Sequence, residues 1–437
     1  MDHKDANLSR RTFIRQSATA GAALAFAAPM FVPSRVFGAN DRVRVAVLGV
    51  NGRGQDHIQN YMKLPNVELV TLCDPDDVIL QKRAGEFKAK YGKKVKTEQD
   101  LRKVFDDKKV DAVSIATPNH WHALATIMAC QAGKDVYVEK PGSHNIWEGR
   151  KMVEAATKYD RIVQHGVQLR SSVAIREAVQ HLRNGLIGRV YMSRGLVFRS
   201  RPDIGKKGTE PVPAGLNYDI WTGPAQMEPF SRDIVHYNWH WHWNYGNGDV
   251  GNQGIHETDL CMWGLDVGFP EKITAMGGRL VFDDSKETPE VLTSSYLYPS
   301  EKKMIQFEVR PWYTNAEDGV GVGNIFYGTE GYMVVNGYSK YQTFLGKDKT
   351  PGPTRDEGGN HYANFIEAVR KHDKSILNGP VETAHLSSGL AHLGNIAYRT
   401  GRVLEFDPKT ERFKNDDEAN ALLTRDYRAP YTVPQVV

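Results

Sequence analysis

The run Val43-Arg44-Val45-Ala46-Val47-Leu48-Gly49-Val50-Asn51-Gly52-Arg53-Gly54 is an apolar β-type stretch that breaks into a glycine-rich turn. Such a turn, delivered by a buried strand into a helix, is the opening of a βαβ unit and leaves a chain few other folds. Gly49 permits the tight turn, and Gly54 lets the next helix lie close to the strand. A pyrophosphate can then rest on backbone N–H groups at the helix N-terminus. Asn51 stands where the middle glycine of this fingerprint falls; Asn tolerates a left-handed backbone, and Gly52 keeps the next position open. Leu69-Val70-Thr71-Leu72-Cys73 is a second β-type run, Gln55 to Leu64 can form the intervening helix, and Asp74 follows twenty residues after Gly54. An acid there binds ribose hydroxyls and repels the extra phosphate of NADP. NAD is therefore favoured over NADP, with Arg53 the one side chain of the turn that offers a phosphate contact.

With 437 residues, 40% apolar content and 25% charge, the chain can bury a large core and divide into two or three domains. A formal net charge of +4, without a basic stripe interleaved with aromatics, argues against a nucleic-acid partner. Cys73, Cys130 and Cys261 are widely separated in apolar surroundings, so neither a disulfide framework nor a zinc spacing emerges. At the N-terminus, Ser9-Arg10-Arg11-Thr12-Phe13-Ile14-Arg15 precedes an Ala-rich stretch from Ser17 to Ala28 and then Pro29, with Ala25 and Ala27 at cleavage spacing. This pattern predicts a twin-arginine export signal within a leader of residues 1–39, a periplasmic or otherwise exported location, and the export machinery as a partner. The stretch is too short and alanine-rich for a permanent membrane span of about twenty residues. A pathway that carries folded proteins suits an enzyme that acquires its nucleotide in the cytoplasm.

After Asp74, helical stretches at Val78 to Tyr91 and Gln99 to Phe105 alternate with strands Ala112 to Ala116 and Asp135 to Val138. Helix Trp147 to Tyr159 then leads to strand Arg161 to His165. The rhythm predicts a Rossmann-type doubly wound parallel sheet over residues 40–165. From there, longer alternating runs at Val190 to Phe198, Lys272 to Val281, Leu292 to Tyr298, Met304 to Val309 and Gly331 to Val335 predict an α+β domain over residues 166–437, built on a large, mostly antiparallel open sheet. Arg201 to Asn252, rich in Pro, Gly, Trp and His, reads as an ordered loop over a site. Helices His361 to His372 and Glu382 to Thr400 are expected to pack back on the body, with an irregular tail from Asp407.

Val138-Glu139-Lys140-Pro141 follows the fourth strand of the doubly wound domain, at the carboxyl edge of the sheet where ligands bind in such folds. Gly49 to Gly54, Asp74, Ala116-Thr117-Pro118-Asn119-His120 and Glu139-Lys140-Pro141, in this order and at these separations, resemble the glucose-fructose oxidoreductase, inositol dehydrogenase and rhizopine-catabolism (Gfo/Idh/MocA) family. Asn217 to Pro224 and the C-terminal helices look like its exported branch. The resemblance implies a nucleotide site formed by Gly49, Asn51, Gly52, Arg53, Gly54, Asp74, Thr117, Pro118, Asn119, His120, Glu139 and Lys140. It also implies that Lys140 contacts the reacting sugar hydroxyl and helps move its proton. A partly desolvated lysine beside a cationic ring has a pKa low enough for that task. A homodimer or homotetramer built on the large sheet is a further implication.

In Gly251-Asn252-Gln253-Gly254-Ile255-His256-Glu257-Thr258-Asp259 the family places an acid and a histidine four residues apart on one helix, facing the substrate. His256 fits the histidine. The acid is Asn252 here, which hydrogen-bonds a hydroxyl but accepts no proton as a carboxylate does. The acid/base task thereby shifts to Lys140 and His256. Tyr237-Asn238-Trp239-His240-Trp241-His242-Trp243 reads as an aromatic wall suited to sugar C–H faces and hydroxyls, with Trp239, Trp241 and His242 as carbohydrate-binding candidates. Arg170 and Tyr218 are further cleft candidates. His240, His242, His256 and Asp259 raise a metal site, but their spacing matches no closed set and hydride transfer needs no metal, so none is assigned. The expected activity is an NAD-dependent oxidoreductase acting on a secondary hydroxyl of a sugar, polyol or glycoside, with the nucleotide tightly bound and recycled. Two alternatives remain at this point. One is an NAD-dependent glycosidase that oxidises C3 transiently and eliminates the glycosidic substituent; the other is a non-catalytic sugar-binding module.

Overall fold

The computed structural model describes residues 42–437, and the export signal expected in residues 1–39 lies outside them. Strands β1 (Val43–Leu48), β2 (Val67–Cys73), β3 (Lys96–Glu98), β4 (Ala112–Ile115), β5 (Asp135–Val138) and β6 (Val163–His165) form a parallel sheet in the order β3-β2-β1-β4-β5-β6. Every residue of β4 and β5 is buried, as expected for central strands covered on both faces. The strand order reverses between β1 and β4, which opens a crevice at their carboxyl ends. The Gly49 turn, the Ala116 to Asn119 segment and the Glu139-Lys140 pair all emerge at this edge.

Two glycines are required there by contact. Gly49 has φ +81°, and a Cβ on it would lie 2.6 Å from the Ala116 carbonyl oxygen. A Cβ on Gly54 would lie 1.9 Å from the Gly49 carbonyl oxygen, so the helix Arg53–Tyr61 seats on the turn only without a side chain at that point. Gly52 has open space around it, and its role is access rather than packing.

The second sheet has ten strands. β7 (Val190–Phe198), β8 (Lys272–Gly278), β9 (Val291–Tyr298), β10 (Lys303–Arg310), β11 (Val322–Gly328), β12 (Gly331–Asn336), β13 (Lys340–Leu345), β14 (Thr350–Asp356), β15 (Leu404–Asp407) and β16 (Arg412–Phe413) are ordered β14-β13-β12-β11-β7-β10-β9-β8-β15-β16. Only the β7 and β10 pair is parallel. β14 carries Pro351 and Pro353, which an edge strand tolerates because its outer side needs no ladder hydrogen bonds. The helices Gly254–Leu265 and Val381–Thr400 cover one face and share a core with the sheet through Leu260, Phe307, Phe326, Leu390 and Leu393. The tail expected to be irregular from Asp407 instead adds β16 and the helix Asp417–Ala421, and Tyr431 and Val433 bury against the first domain's core.

The segment between β7 and the helix Gly254–Leu265 folds over the crevice. Its backbone pairs with the first domain through Asn217 N–H to the Pro75 carbonyl and Asp77 N–H to the Gly215 carbonyl, at 2.9 and 3.0 Å. Its own core of Tyr218, Trp221, Phe230, Trp239 and Tyr245 gives it rigidity despite little regular structure.

Candidate active site

Beneath the crevice lies a buried hydrogen-bonded chain. Glu139 Oε1 accepts from Arg53 Nε at 2.9 Å, His57 Nε2 at 3.0 Å and Gln168 Nε2 at 3.0 Å. Because His57 donates through Nε2, its Nδ1 accepts from the Ser114 hydroxyl at 2.8 Å, and Tyr61 donates to Ser114 Oγ at 3.1 Å. Burial pushes the Glu139 pKa up, but the Arg53 charge and the His57 hydrogen bond outweigh it and hold this carboxyl well below its ordinary range. Arg53 also binds Asp56 at 3.1 Å. Its guanidinium is thereby anchored at the floor of the site while the side chain still lines the cleft.

Lys140, next in sequence, projects into the cleft. Its Nζ donates to Asn252 Oδ1 at 3.0 Å and to the Asn252 carbonyl at 3.1 Å. Burial lowers its pKa to about 8, against the opposing pull of Glu139. Two neutral acceptors leave the amine close to the pH at which it exchanges protons, where a carboxylate would hold it charged.

The cleft has about 1320 Å³ of empty space, part of it open to solvent, and its lining includes Gly49, Asn51, Gly52, Arg53 and Asp74 together with Thr117, Pro118, Asn119, Glu139, Lys140 and Asn252. The Asp74 carboxylate accepts from Val50 N–H at 2.9 Å and Asp76 N–H at 3.1 Å, which fixes its orientation, and burial raises its pKa to about 6. Both ring nitrogens of His122 face carbonyl oxygens, at 2.5 Å from Pro141 and 2.8 Å from Thr117, so the ring spans the two loops that frame the cleft. These features fit a dinucleotide: the turn is open where a Cβ would block it, and a buried carboxylate stands at the end of β2.

The roof comes from the covering segment, through Trp221, His236, Tyr237, Trp239 and His240. Of the aromatic wall expected from sequence, Trp239 reaches the cleft. Trp241 and His242 do not line it, and this corrects their assignment as sugar contacts. Trp241 is buried beneath the Arg201 guanidinium at 5.4 Å, and His242 Nε2 faces the Asp233 carbonyl at 3.2 Å. The reason is local geometry. Asn238–Trp241 is a 3₁₀ turn with three residues per turn, so Tyr237 and His240 share the cleft side while Trp241 points away. His240 was not singled out as a contact from sequence, yet it is the better placed histidine. Its Nδ1–H donates to the Tyr237 carbonyl at 2.6 Å and its ring stacks on Trp239 at 3.6 Å. Burial lowers its pKa to about 3, so Nε2 remains a neutral acceptor in the same cleft as Lys140.

Four other candidates lie off the cleft lining. Arg170 makes two hydrogen bonds to Asp259, at 2.8 and 2.9 Å, and stacks over Trp263; it is a buried ion pair of the second domain. Tyr218 stacks on Trp221 within the covering segment's core. His120 Nε2 faces the Trp221 carbonyl at 3.0 Å and so anchors that segment rather than facing a nucleotide. His256 is 4% exposed, packs against Tyr338 and has a pKa lowered to about 3 by burial. Asn252 and His256 do not share one helix, because the chain breaks at Asn252 (φ −91°, ψ −93°) between the helices Gly248–Gly251 and Gly254–Leu265. That break is what turns the Asn252 carbonyl as well as its amide toward Lys140. Sequence reasoning also passed over the polar group beyond Asn252: Arg201 pairs with Asp249 at 2.6 and 2.8 Å, and Arg199 donates to Gln253 at 3.0 Å.

The comparisons with known proteins agree with this geometry. Residues 43–167 match the NAD-binding Rossmann fold of an oxidoreductase family, and residues 200–275 and 343–433 match the same family's C-terminal alpha/beta domain. The chain belongs to the Gfo/Idh/MocA family. Family members similar to it include the myo-inositol 2-dehydrogenase of Thermotoga maritima, 28% identical over 289 residues, which are 59% of this chain and 82% of that protein. A glycosyl hydrolase family 109 protein of Saccharopolyspora erythraea is 29% identical over 209 residues, 43% of this chain and 45% of its own length, so the chain spans under half of that relative. The fold is shared with the WlbA dehydrogenase of Bordetella pertussis, solved with NADH and UDP-GlcNAcA, at a TM-score of 0.63, 21% identity and coverage of 84% of this chain and 99% of that one.

Proposed function

We propose that this family member is an NAD-dependent oxidoreductase that oxidises a secondary hydroxyl of a sugar, polyol or glycoside. Residues 40–165 bind the nucleotide in this reading, and residues 166–437 supply the substrate wall. The observation that carries it is the placement of Lys140, with its Nζ on two neutral acceptors of Asn252, in the same cleft as the Gly49 turn and Asp74. Gly49, Gly52, Asp74 and the Thr117 to Asn119 segment would hold the dinucleotide. Bound NAD supplies the hydride acceptor for the carbinol carbon. Lys140 as free amine accepts the hydroxyl proton, and its pKa of about 8 gives it a substantial free-amine fraction near neutrality. Asn252 and His240 orient the substrate by accepting from its neighbouring hydroxyls, and Trp239 offers an apolar face beside them. The aromatic side chains of Trp221, Tyr237 and Trp239 over the cleft support a retained and recycled nucleotide.

A retained nucleotide also suits an exported enzyme, and the Arg10-Arg11 segment supports export by the twin-arginine route to the periplasm or beyond. The large open sheet supports assembly into a homodimer or homotetramer. Among the described residues no helix is long and apolar enough to cross a membrane. The glycosyl hydrolase family 109 relative favours a second reading, in which the ketone at C3 acidifies the C2–H, the glycosidic substituent leaves from C1 by elimination, water adds at C1 as a proton returns to C2, and the hydride returns to C3 to give net hydrolysis. One experiment separates the two. Purified protein is assayed for bound nucleotide by mass, then mixed with a panel of sugars and chromogenic glycosides. Accumulating NADH supports the dehydrogenase, aglycone release without lasting NADH supports the closed cycle, and bound nucleotide that responds to none of the panel contradicts both.

A further inference from the structure

Behind the loop that carries Lys140 lies a further pocket, with about 1290 Å³ of empty space partly open to solvent, lined mostly by polar side chains and separate from the nucleotide cleft. Its walls come from the loop after Pro141, the end of the covering segment, the helix Val381–Thr400 and the C-terminal tail. Arg399 and Arg425 both line it, and among the described residues neither guanidinium is paired with a carboxylate. Arg425 donates to the Asn244 carbonyl at 2.8 Å and to Asn244 Oδ1 at 3.0 Å, which fixes its position; the carboxylate whose charge reaches it, the buried Glu148, makes no ion pair with it and is engaged by His144 N–H at 2.8 Å and the Tyr427 hydroxyl at 3.0 Å. Arg399 lies over the Trp243 ring at 5.2 Å. The acid whose charge reaches it, Glu287, is already engaged by Trp243 N–H at 2.8 Å and by His242 at 3.6 Å. The remaining carboxylate, Asp426, sits exposed at the rim.

Two histidines complete the wall, and each has a ring nitrogen without a partner. Arg425 Nη1 lies 3.2 Å from His144 Nδ1, and an arginine only donates, so His144 carries its proton on Nε2, which makes no well-formed hydrogen bond although the Gly246 backbone lies near the ring. His392 is 4% exposed and donates through Nε2 to the Ser143 carbonyl at 3.0 Å, which leaves Nδ1 as an unpartnered acceptor. Unsatisfied buried polar atoms carry a cost that a bound group removes. The arrangement offers two cations and one neutral donor, with one acceptor beside them.

We propose that this cavity binds a small oxyanion, a carboxylate or phosphate group on a small polar molecule, between the guanidinium groups of Arg399 and Arg425, with the His144 Nε2–H as third donor. The acceptor at His392 suits a hydroxyl neighbouring the oxyanion. The site touches the nucleotide cleft through one residue: Asn247 donates to the His144 carbonyl at 3.1 Å and accepts from Asn119, a cleft-lining residue, at 3.3 Å.

The test is calorimetric titration of the full chain at fixed ionic strength with NAD saturating, so that the pyrophosphate site is filled. The probes are inorganic phosphate, gluconate and the neutral polyol sorbitol. Saturable binding of phosphate or gluconate but not sorbitol is expected, and whichever anion binds tells a phosphate site from a carboxylate site. In Arg399→Gln the dissociation constant should rise about tenfold or more, the usual size for losing a charge-assisted contact, with Arg399→Lys intermediate. Arg399 lies exposed at the end of its helix and outside the nucleotide cleft, so NAD affinity should be unchanged. Absence of saturable anion binding would overturn the proposal. So would anion binding that is equal in wild type and Arg399→Gln, which would place the anion in the cleft instead.

Discussion

Replacing Asn252 with aspartate places a full negative charge where an amide oxygen now accepts from Lys140 Nζ at 3.0 Å. At that distance a unit charge stabilises the ammonium by about 1.4 kcal/mol at the dielectric constant of water and about 5.5 kcal/mol at an effective value near 20, a rise of roughly 1 to 4 pKa units. Lys140 begins at about 8. The sign follows from the charge: an anion favours the protonated lysine, so the free amine becomes scarcer at every pH below the new midpoint. Near pH 7.5 the free-amine fraction falls from roughly a quarter to about 3% for a one-unit rise, and to under about 1% for two units. Pulse acetylation with acetic anhydride across a pH series, with the Lys140 peptide quantified by mass spectrometry, reads this fraction without requiring a substrate. The expected result is at least about an eightfold slower labelling near neutrality in Asn252→Asp, recovered at high pH. Coincident labelling midpoints in the two proteins would refute the argument that Asn252 keeps the amine available.

Other perturbations test other parts of the site. If Asp74 accepts the ribose hydroxyls as proposed, its pKa of about 6 means that NAD affinity, measured by protein fluorescence, should fall about tenfold from pH 7 to pH 5 as the carboxylate is protonated, and Asp74→Asn should flatten that dependence. Asp74 by itself makes the ligand-free protein less stable as pH rises between its unfolded value near 3.8 and its folded value near 6, by up to about 3 kcal/mol; because buried His240 and His256 contribute the opposite slope, the trend is read as the difference between wild type and Asp74→Asn in urea melts across this window. Gly54→Ala puts a Cβ 1.9 Å from the Gly49 carbonyl oxygen and should lower stability by about 2 kcal/mol or more and abolish NAD binding, whereas Gly52→Ala meets nothing and should cost under about 1 kcal/mol; thermal melts and NAD titration separate them. His240→Phe should raise KM for the carbohydrate with little change in melting temperature, while His242→Phe, which loses the contact to the Asp233 carbonyl, should do the reverse.

The features legible in the sequence are those fixed by local rules. The glycine turn, Asp74 at the end of β2, the alternation of strands and helices through β6, and the Glu139-Lys140 pair at the carboxyl edge all follow from period and backbone conformation within short stretches. Pro351 and Pro353 argue against a strand at β14, and only its edge position makes them tolerable. In the aromatic wall, the alternating Trp and His suggest that many of them face one cleft, but the 3₁₀ turn puts Tyr237, Trp239 and His240 on the cleft and turns Trp241 and His242 away from it. Arg170 and Tyr218 are cleft candidates by residue type and His120 by its place in the family motif; their long-range partners Asp259 and Trp221 decide their roles, and no local pattern reveals those contacts. The break at Asn252 was likewise invisible, since the residues around it are compatible with one continuous helix.

The central claim is that Lys140 takes the substrate proton in a cleft that holds NAD independently of it. The most direct measurement is single-turnover reduction of bound NAD, followed by NADH absorbance, in wild type and Lys140→Met with a carbohydrate that the wild type oxidises. The account predicts that Lys140→Met binds NAD as tightly as wild type while its hydride-transfer rate falls by about a hundredfold or more, the usual contribution of a positioned acid or base. Equal single-turnover rates in the two proteins would contradict it.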